Sequence, residues 1–138
     1  SMVHKGYQQI KEKGSIRLFK SHRPDYADGE QKRDFIYVKD ALRIMDHFLE
    51  NPDRGGIVNV GTGRAHSWNE LARALFKALD MKESIEYSDM PEHLRDKYQY
   101  FTQAETSKLR RSGYTEACTP LEDAVADYVR VLEQTAYL

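Results

Sequence analysis

The sequence is poor in several features that would point to specific classes of protein. It has a single cysteine, Cys118, which leaves no internal disulfide and fits a reducing compartment. Its 21 basic and 22 acidic residues nearly cancel, so no overall charge favours nucleic acid or an anionic membrane surface. No apolar run approaches the length of a membrane span. We therefore expect a cytoplasmic protein without a nucleic-acid or membrane partner, in which any anion site is local.

Common catalytic motifs are also missing. There is no P-loop, no G-x-G-x-x-G and no G-x-S-x-G. The five histidines are scattered without the spacing of a metal site, so we expect no bound metal. A chain of 138 residues suits one domain, 1–138. The abrupt start at Ser1-Met2, directly before helix-like sequence, favours a cut inside a longer protein.

The hydrophobic pattern predicts an α/β fold of short strands with about five helices. Ser67 and Glu70 form a capping box before the best-marked helix, and Thr102 with Glu105 suggests a second one. Asp40 is placed to cap a helix at about 41–50, whose apolar stripe includes Leu42, Met45 and Leu49. The remaining predictions are helices at 2–13 and from Thr119-Pro120 onwards, and strands at 15–19, 56–60 and 85–87.

Residues 32–40 carry the most informative pattern. As a strand, the segment would place Arg33, Phe35 and Tyr37 on one face. Guanidinium groups bind phosphate or carboxylate through paired hydrogen bonds, and aromatic rings supply an apolar wall. The alternative is that Arg33 pairs with a nearby carboxylate, Asp34 or Glu30, beside two core aromatics.

Two other segments each allow two interpretations. Gly61-Thr62-Gly63 is either a plain turn or a loop whose backbone amides hold an anion. The second segment mixes aromatic and basic side chains, and could hold a base or sugar ring or form an edge of the core. Its members are Arg95, Lys97, Tyr98, Tyr100 and Phe101. These features suit nucleotides or sugar phosphates without identifying a reaction.

Three motifs together resemble a known family. R-D-F-I-Y-V-K-D at 33–40 and G-I-V-N-V-G-T-G at 56–63 are similar to the C-terminal substrate domain of extended short-chain dehydrogenase/reductases that act on nucleotide-sugars. K-Y-Q-Y-F-T-Q-A at 97–104 and L-F-K-S at 18–21 resemble the branch that epimerises ADP-heptose. The resemblance extends over essentially the whole chain.

The resemblance implies a set of substrate-binding residues. Arg33 matches an arginine that contacts the substrate's phosphates, and Tyr98 matches a substrate-contacting tyrosine. Phe19, Lys20, Ser21 and His22 match the segment that lines the ADP-sugar, although the loop at 22–31 is longer than in some members. No catalytic residue is assigned within the chain.

The resemblance also implies what lies elsewhere. Such enzymes carry an N-terminal dinucleotide-binding half, a Rossmann unit, with bound NADP and a catalytic Tyr-x-x-x-Lys pair. We expect this half to be absent here, so that the isolated piece binds no cofactor and is inactive. Its partners would be an ADP-sugar, the missing domain and further copies in a homo-oligomer. Two alternatives remain open: the C-terminal domain of another nucleotide-sugar epimerase or dehydratase, and a stand-alone nucleotide-sugar-binding module.

Overall fold

A computed structural model describes residues 1–135, so the last three residues of the predicted domain lie outside it. The helices are α1 (Met2–Lys13), α2 (Val38–Glu50), α3 (Trp68–Ala78), α4 (Glu92–Arg95), α5 (Ser107–Arg111) and α6 (Leu121–Thr135), with a 3-10 turn at Pro52–Arg54. The strands are β1 (Ile16–Phe19), β2 (Lys32–Arg33), β3 (His66–Ser67) and β4 (Ile85–Ser88). The predicted α/β fold is confirmed. None of the helices within residues 1–135 combines the length and hydrophobicity that a membrane crossing requires.

The main core lies between α1, α3, α6 and a two-stranded parallel sheet. In that sheet β1 pairs with β4, with Ile16 opposite Ile85 and Phe19 opposite Ser88. The largest side chains that this core buries are Ile10, Leu75 and Phe76. Local signals position the helices around it: Gly14 ends α1 with φ 71°, and the predicted capping box of Ser67 and Glu70 begins α3.

The predicted start of the second helix is wrong. The extended segment ends as a strand at Arg33, and α2 already begins at Val38, so Asp40 lies inside its first turn. Asp40 is completely buried, where it pairs with Arg43 and accepts hydrogen bonds from the backbone N–H and hydroxyl of Thr119, both at 2.8 Å. The carboxylate therefore ties α2 to the segment before α6, a role that local sequence does not reveal.

The predicted stripe of α2 faces outwards. Ile44 is the residue of this helix that a small second core buries, together with Leu109 and Tyr114. Leu42, Met45 and Leu49 are 51%, 57% and 77% exposed. The predicted helical spacing is confirmed, but the apolar face that it forms is not buried against any described residue.

Two further local predictions are wrong. Residues 56–60 form no strand, and Ile57 is 91% exposed, because the described residues offer no neighbouring strand with which their backbone could pair. The second capping box does not form either: α5 begins at Ser107, and Glu105 accepts a 2.7 Å hydrogen bond from the Ser107 N–H instead of reaching back to Thr102.

Candidate functional site

The candidate site lies where the parallel strands end. β1 and β4 run in the same direction, so the loops that follow Phe19 and Ser88 leave the same edge of the sheet. A backbone hydrogen bond of 2.9 Å from Lys20 N to Ser88 O holds these two loop origins together. In open α/β sheets, ligands bind in the crevice beyond the carboxyl ends of the strands. Chain direction alone therefore marks this edge as the place to look.

Arg33 and Tyr98 form the centre of this region. The Arg33 guanidinium lies over the Tyr98 ring, 5.0 Å from its centroid, and donates a 2.8 Å hydrogen bond to the Lys32 carbonyl. Neither Asp34 nor Glu30 forms an ion pair with Arg33, so the alternative of a local charge pair is wrong. A stacked, half-buried arginine without a carboxylate partner among the described residues keeps its charge available for an anion.

The Tyr98 side chain is fixed by contacts to its hydroxyl and to its ring. Its hydroxyl accepts a 2.9 Å hydrogen bond from the indole N–H of Trp68, and burial raises the pKa of the phenol. Phe19 contacts the ring edge-on, with centroids 6.4 Å apart, and Tyr100 does so at 5.5 Å. Tyr98 is therefore a fixed wall that carries the Arg33 guanidinium on its face.

The segment 97–104 reaches Arg33 through backbone pairing. Lys32 N donates to Tyr100 O at 2.8 Å, and Thr102 N donates to Lys32 O at 3.2 Å. These two bonds form a parallel bridge between Lys32 and Phe101. Two motifs that are far apart in sequence thus become neighbours at one site.

The other predicted site residues, Lys20, Ser21 and His22, follow β1 and have different contacts. Lys20 forms an ion pair with Asp89, with 3.7 Å between Nζ and Oδ1. The backbone N–H of Ser21 donates a 2.7 Å hydrogen bond to the carboxylate of Asp28. His22 donates its backbone N–H to the Tyr100 hydroxyl at 3.0 Å. Phe19, His22, Arg33 and Tyr98 thus share one region, with Lys20 and Ser21 at its border.

Sequence analysis missed two residues of this region, Arg23 and Gln31. The Arg23 guanidinium lies 5.1 Å from the Tyr100 ring centroid and 5.6 Å from that of Tyr26, and Asp25 holds it with two hydrogen bonds of 2.9 and 2.6 Å. Gln31 is almost fully buried, and its amide donates to the carbonyls of Phe19 and Lys20. The arginine-to-carboxylate spacing of Arg23 and Asp25 was a readable signal, whereas nothing local marked Gln31.

The glycine loop at 61–63 already holds an anion, which is the chain's own Asp34. The carboxylate accepts from the backbone N–H groups of Thr62 and Gly63, both at 2.9 Å, and from Ala104 N at 3.0 Å. The Thr62 hydroxyl adds a fourth hydrogen bond of 2.6 Å. The amides of this loop are therefore committed to internal structure, and the loop is a turn rather than a phosphate cradle.

Phe35 and Tyr37 do not join Arg33 in a common face. Phe35 packs edge-on against Trp68 with centroids 5.0 Å apart, beside the main core. The Tyr37 hydroxyl donates a 2.5 Å hydrogen bond to Asp127 of α6, while burial, followed by that contact, raises the pKa of the phenol. Both aromatics stabilise the framework.

One tyrosine and one lysine do stand at Tyr-x-x-x-Lys spacing. Tyr7 and Lys11 lie on α1, and both contact Glu133 of α6: the phenol donates at 2.6 Å and the ammonium lies 3.2 Å away. These contacts join the two helices, so we assign the pair a structural role. Within residues 1–135 no group of three His, Cys, Asp or Glu residues could hold a metal ion.

Comparison with known proteins places this geometry in a family context. The NAD dependent epimerase/dehydratase family matches residues 1–61. ADP-L-glycero-D-manno-heptose-6-epimerase of Nitratidesulfovibrio vulgaris (strain DP4) is 54% identical over 130 residues, which are 94% of this chain and 40% of that protein. The protein of the same name from Fusobacterium nucleatum is 44% identical over 146 residues, covering all of this chain and 44% of the relative.

Solved structures of nucleotide-sugar epimerases are also similar to this chain. The crystal structure of the Helicobacter pylori ADP-L-glycero-D-manno-heptose-6-epimerase superimposes with a TM-score of 0.70 at 25% identity, over 96% of this chain and 38% of that one. A UDP-N-acetylglucosamine 4-epimerase from Methanobrevibacter ruminantium has a TM-score of 0.78 at 21% identity, which speaks for the fold alone.

The fold and these matches agree on the class to which the chain is similar, the NAD dependent epimerase/dehydratase family. Within that class its sequence is related to the ADP-L-glycero-D-manno-heptose-6-epimerases. The chain spans about 40% of the length of the curated relatives that it matches.

Proposed function

We propose that these residues form the substrate-binding part of an NADP-dependent ADP-glyceromanno-heptose 6-epimerase, a cytoplasmic enzyme that supplies heptose for the lipopolysaccharide core. The observation that carries the proposal is the Arg33 guanidinium, stacked on Tyr98 without a carboxylate partner in the described part of the chain, at the carboxyl edge of a parallel sheet. The relatives that bear this enzyme's name support the choice of substrate.

The site chemistry fits an ADP-sugar in two respects. Arg33 offers paired donors for a phosphate group of the diphosphate. Phe19 and Tyr98 offer apolar ring surface to the sugar or the base, while Lys20, Ser21 and His22 line the approach from the loop after β1. The proposed substrate-binding residues are therefore Phe19, Lys20, Ser21, His22, Arg33 and Tyr98.

The proposal assigns the dinucleotide-binding unit, with NADP and the catalytic groups, to sequence beyond these 138 residues. In support, the relatives are more than twice as long as the stretch that this chain matches. The exposed apolar stripe of α2 and the exposed Ile57 in the extended segment at 57–60, which pairs with no strand of the described residues, also offer a surface of the kind that a further sheet layer covers. On this proposal the residues bind the sugar nucleotide but do not epimerise it alone, because the hydride acceptor is supplied elsewhere.

Substitution of the stacked arginine tests the proposal. Arg33→Ala should weaken binding of ADP-heptose by roughly 1.5–3 kcal/mol, the contribution of a hydrogen bond to a charged group. Isothermal titration calorimetry measures this, with Arg73→Ala as the control, because Arg73 lies on α3 and pairs with Glu83 at 3.5 Å. Unchanged affinity in Arg33→Ala would remove Arg33 from the site. Binding of UDP-galactose in preference to ADP-heptose would instead favour a different nucleotide-sugar epimerase or dehydratase.

A further inference from the structure

A cavity that contains none of the proposed substrate-binding residues opens between the loop at 61–66, α5 and the segment before α6. It has a volume of about 350 Å³. Arg64 and His66 line it from the loop and β3, and Arg110 lines it from α5. Among the described residues that surround it, none is an aspartate or a glutamate. The cavity is therefore lined by two guanidinium groups and an imidazole without a carboxylate to balance them.

The backbone of Arg64 is fixed, whereas its side chain has no bound partner. The Arg64 N–H donates to the Thr62 hydroxyl at 3.0 Å, and that hydroxyl donates to the Asp34 carboxylate at 2.6 Å. No carboxylate within residues 1–135 forms an ion pair with the Arg64 guanidinium, which is exposed. Because the backbone beneath it is already ordered, this arginine has less conformational freedom to lose when it binds an anion.

Arg110 and His66 are also positioned and keep nitrogen atoms for a ligand. Nη1 of Arg110 donates to the carbonyls of Glu116 at 2.8 Å and Tyr114 at 3.3 Å, while Nε and Nη2 have no acceptor in the described part of the chain. Nδ1 of His66 lies 3.2 Å from Oε1 of Glu70, so Nε2 is the ring nitrogen that a ligand could reach. Three side chains from separate segments thus offer nitrogen atoms to one cavity.

The rest of the lining is largely apolar. Phe35 and Leu121 line the cavity, and the Phe35 ring is held edge-on by Trp68, with centroids 5.0 Å apart. Cys118 lines it as well, and burial, followed by the nearby charge of Asp40, raises the pKa of its thiol. The thiol is therefore uncharged at neutral pH. This combination suits a ligand that carries an anionic group on a small apolar body.

We propose that this cavity binds a small organic phosphate. The phosphate group lies between Arg64, His66 and Arg110, and the apolar part packs against Phe35 and Leu121. Two guanidinium groups from separate segments suit a phosphate dianion better than a carboxylate, which a single guanidinium neutralises. The site goes beyond the proposed function, because it shares no lining residue with the proposed ADP-sugar site.

The single cysteine of the chain provides a specific reporter for the test, which uses the 138-residue protein. Alkylation of Cys118 by iodoacetamide is measured with phenyl phosphate as the probe. Bound probe should cover the thiol, so the rate should fall and then level off as the probe concentration rises. Arg64→Gln should raise the concentration for half-protection about ten-fold, which corresponds to about 1.4 kcal/mol. Arg73→Gln is the matched control, since Arg73 pairs with Glu83 at 3.5 Å, and should leave that concentration unchanged.

Each outcome of this experiment decides for or against the site. Weaker protection by benzoate than by phenyl phosphate supports the phosphate assignment, and equal protection overturns it. The site is also overturned if phenyl phosphate gives no protection, or if Arg64→Gln and the wild-type protein are half-protected at the same concentration. Loss of protection in Arg33→Ala would overturn it too, because the probe would then act from the proposed ADP-sugar site. None of these results replaces the calorimetry of Arg33→Ala, so this inference and the proposed function fail separately.

Discussion

Asp34 offers the sharpest test of how this fold is held together. Its two carboxylate oxygens accept four hydrogen bonds from two distant segments. Oδ1 serves the backbone N–H and hydroxyl of Thr62, and Oδ2 serves the N–H groups of Gly63 and Ala104. We predict that Asp34→Asn destabilises the protein strongly, although the side chain keeps its size.

The magnitude follows from the number of donors that lose an acceptor. An asparagine amide has one oxygen, and its NH₂ group faces either Thr62 or the pair of Gly63 and Ala104. At least one backbone N–H is then left without a partner, and every remaining hydrogen bond loses its charged acceptor. A hydrogen bond to a charged group contributes about 1.5–3 kcal/mol, and losses within one network are not additive. We therefore expect the free energy of unfolding to fall by roughly 2–4 kcal/mol.

Urea unfolding followed by circular dichroism measures this change. Asp46→Asn is the control, because Asp46 is exposed on α2 and should change the free energy of unfolding by less than about 0.5 kcal/mol. If Asp34→Asn lowered stability no more than this control, Asp34 would not hold the loop at 61–63 to Ala104 in solution. Helix content should be similar in the folded states of both variants.

Two other predictions concern pH and association. Burial acts to raise the pKa of Glu70, but hydrogen bonds from Ser67 N–H and from His66 outweigh it and hold that pKa below its usual 4.5. The stabilisation is therefore present above pH 4.5 and is lost as the pH falls through the lowered pKa. Glu70→Gln should flatten the acid side of a stability–pH profile from urea titrations, and an unchanged slope would contradict this. The exposed apolar stripe of α2 should cause the isolated 138 residues to self-associate, which sedimentation velocity can measure. The double variant Leu42→Gln, Leu49→Gln should reduce this self-association. A wild-type protein that stays monomeric at high concentration would contradict the prediction.

The elements that could be predicted from sequence are those that local contacts define. The capping box of Ser67 and Glu70 and the left-handed Gly14 depend on residues within one helical turn, so their signals survive without tertiary information. The predicted strand at 56–60 failed for the opposite reason. A strand forms only when its backbone can pair with a neighbouring strand, and the residue pattern of one segment does not show whether such a neighbour exists.

The candidate site divides in the same way. Sequence indicated Arg33 and Tyr98 as chemically suited side chains, and the structure brought them together through the backbone pairing of Lys32 with the 97–104 segment. Sequence could not show that Asp34 fills the glycine loop, because that contact joins residues 28 and 29 positions apart.

By itself, the sequence determined the helical periods, two of the helix ends and the residue types that an anionic, ring-bearing ligand requires. Only the tertiary structure decided which charges remain available. Asp40 and Asp34 became internal connections, Arg23 was engaged by Asp25, and Arg33 has no carboxylate partner among the described residues. The physical reason is that a charged group can be satisfied by any partner within about 4 Å, and the chain fold, not the sequence spacing, sets those distances.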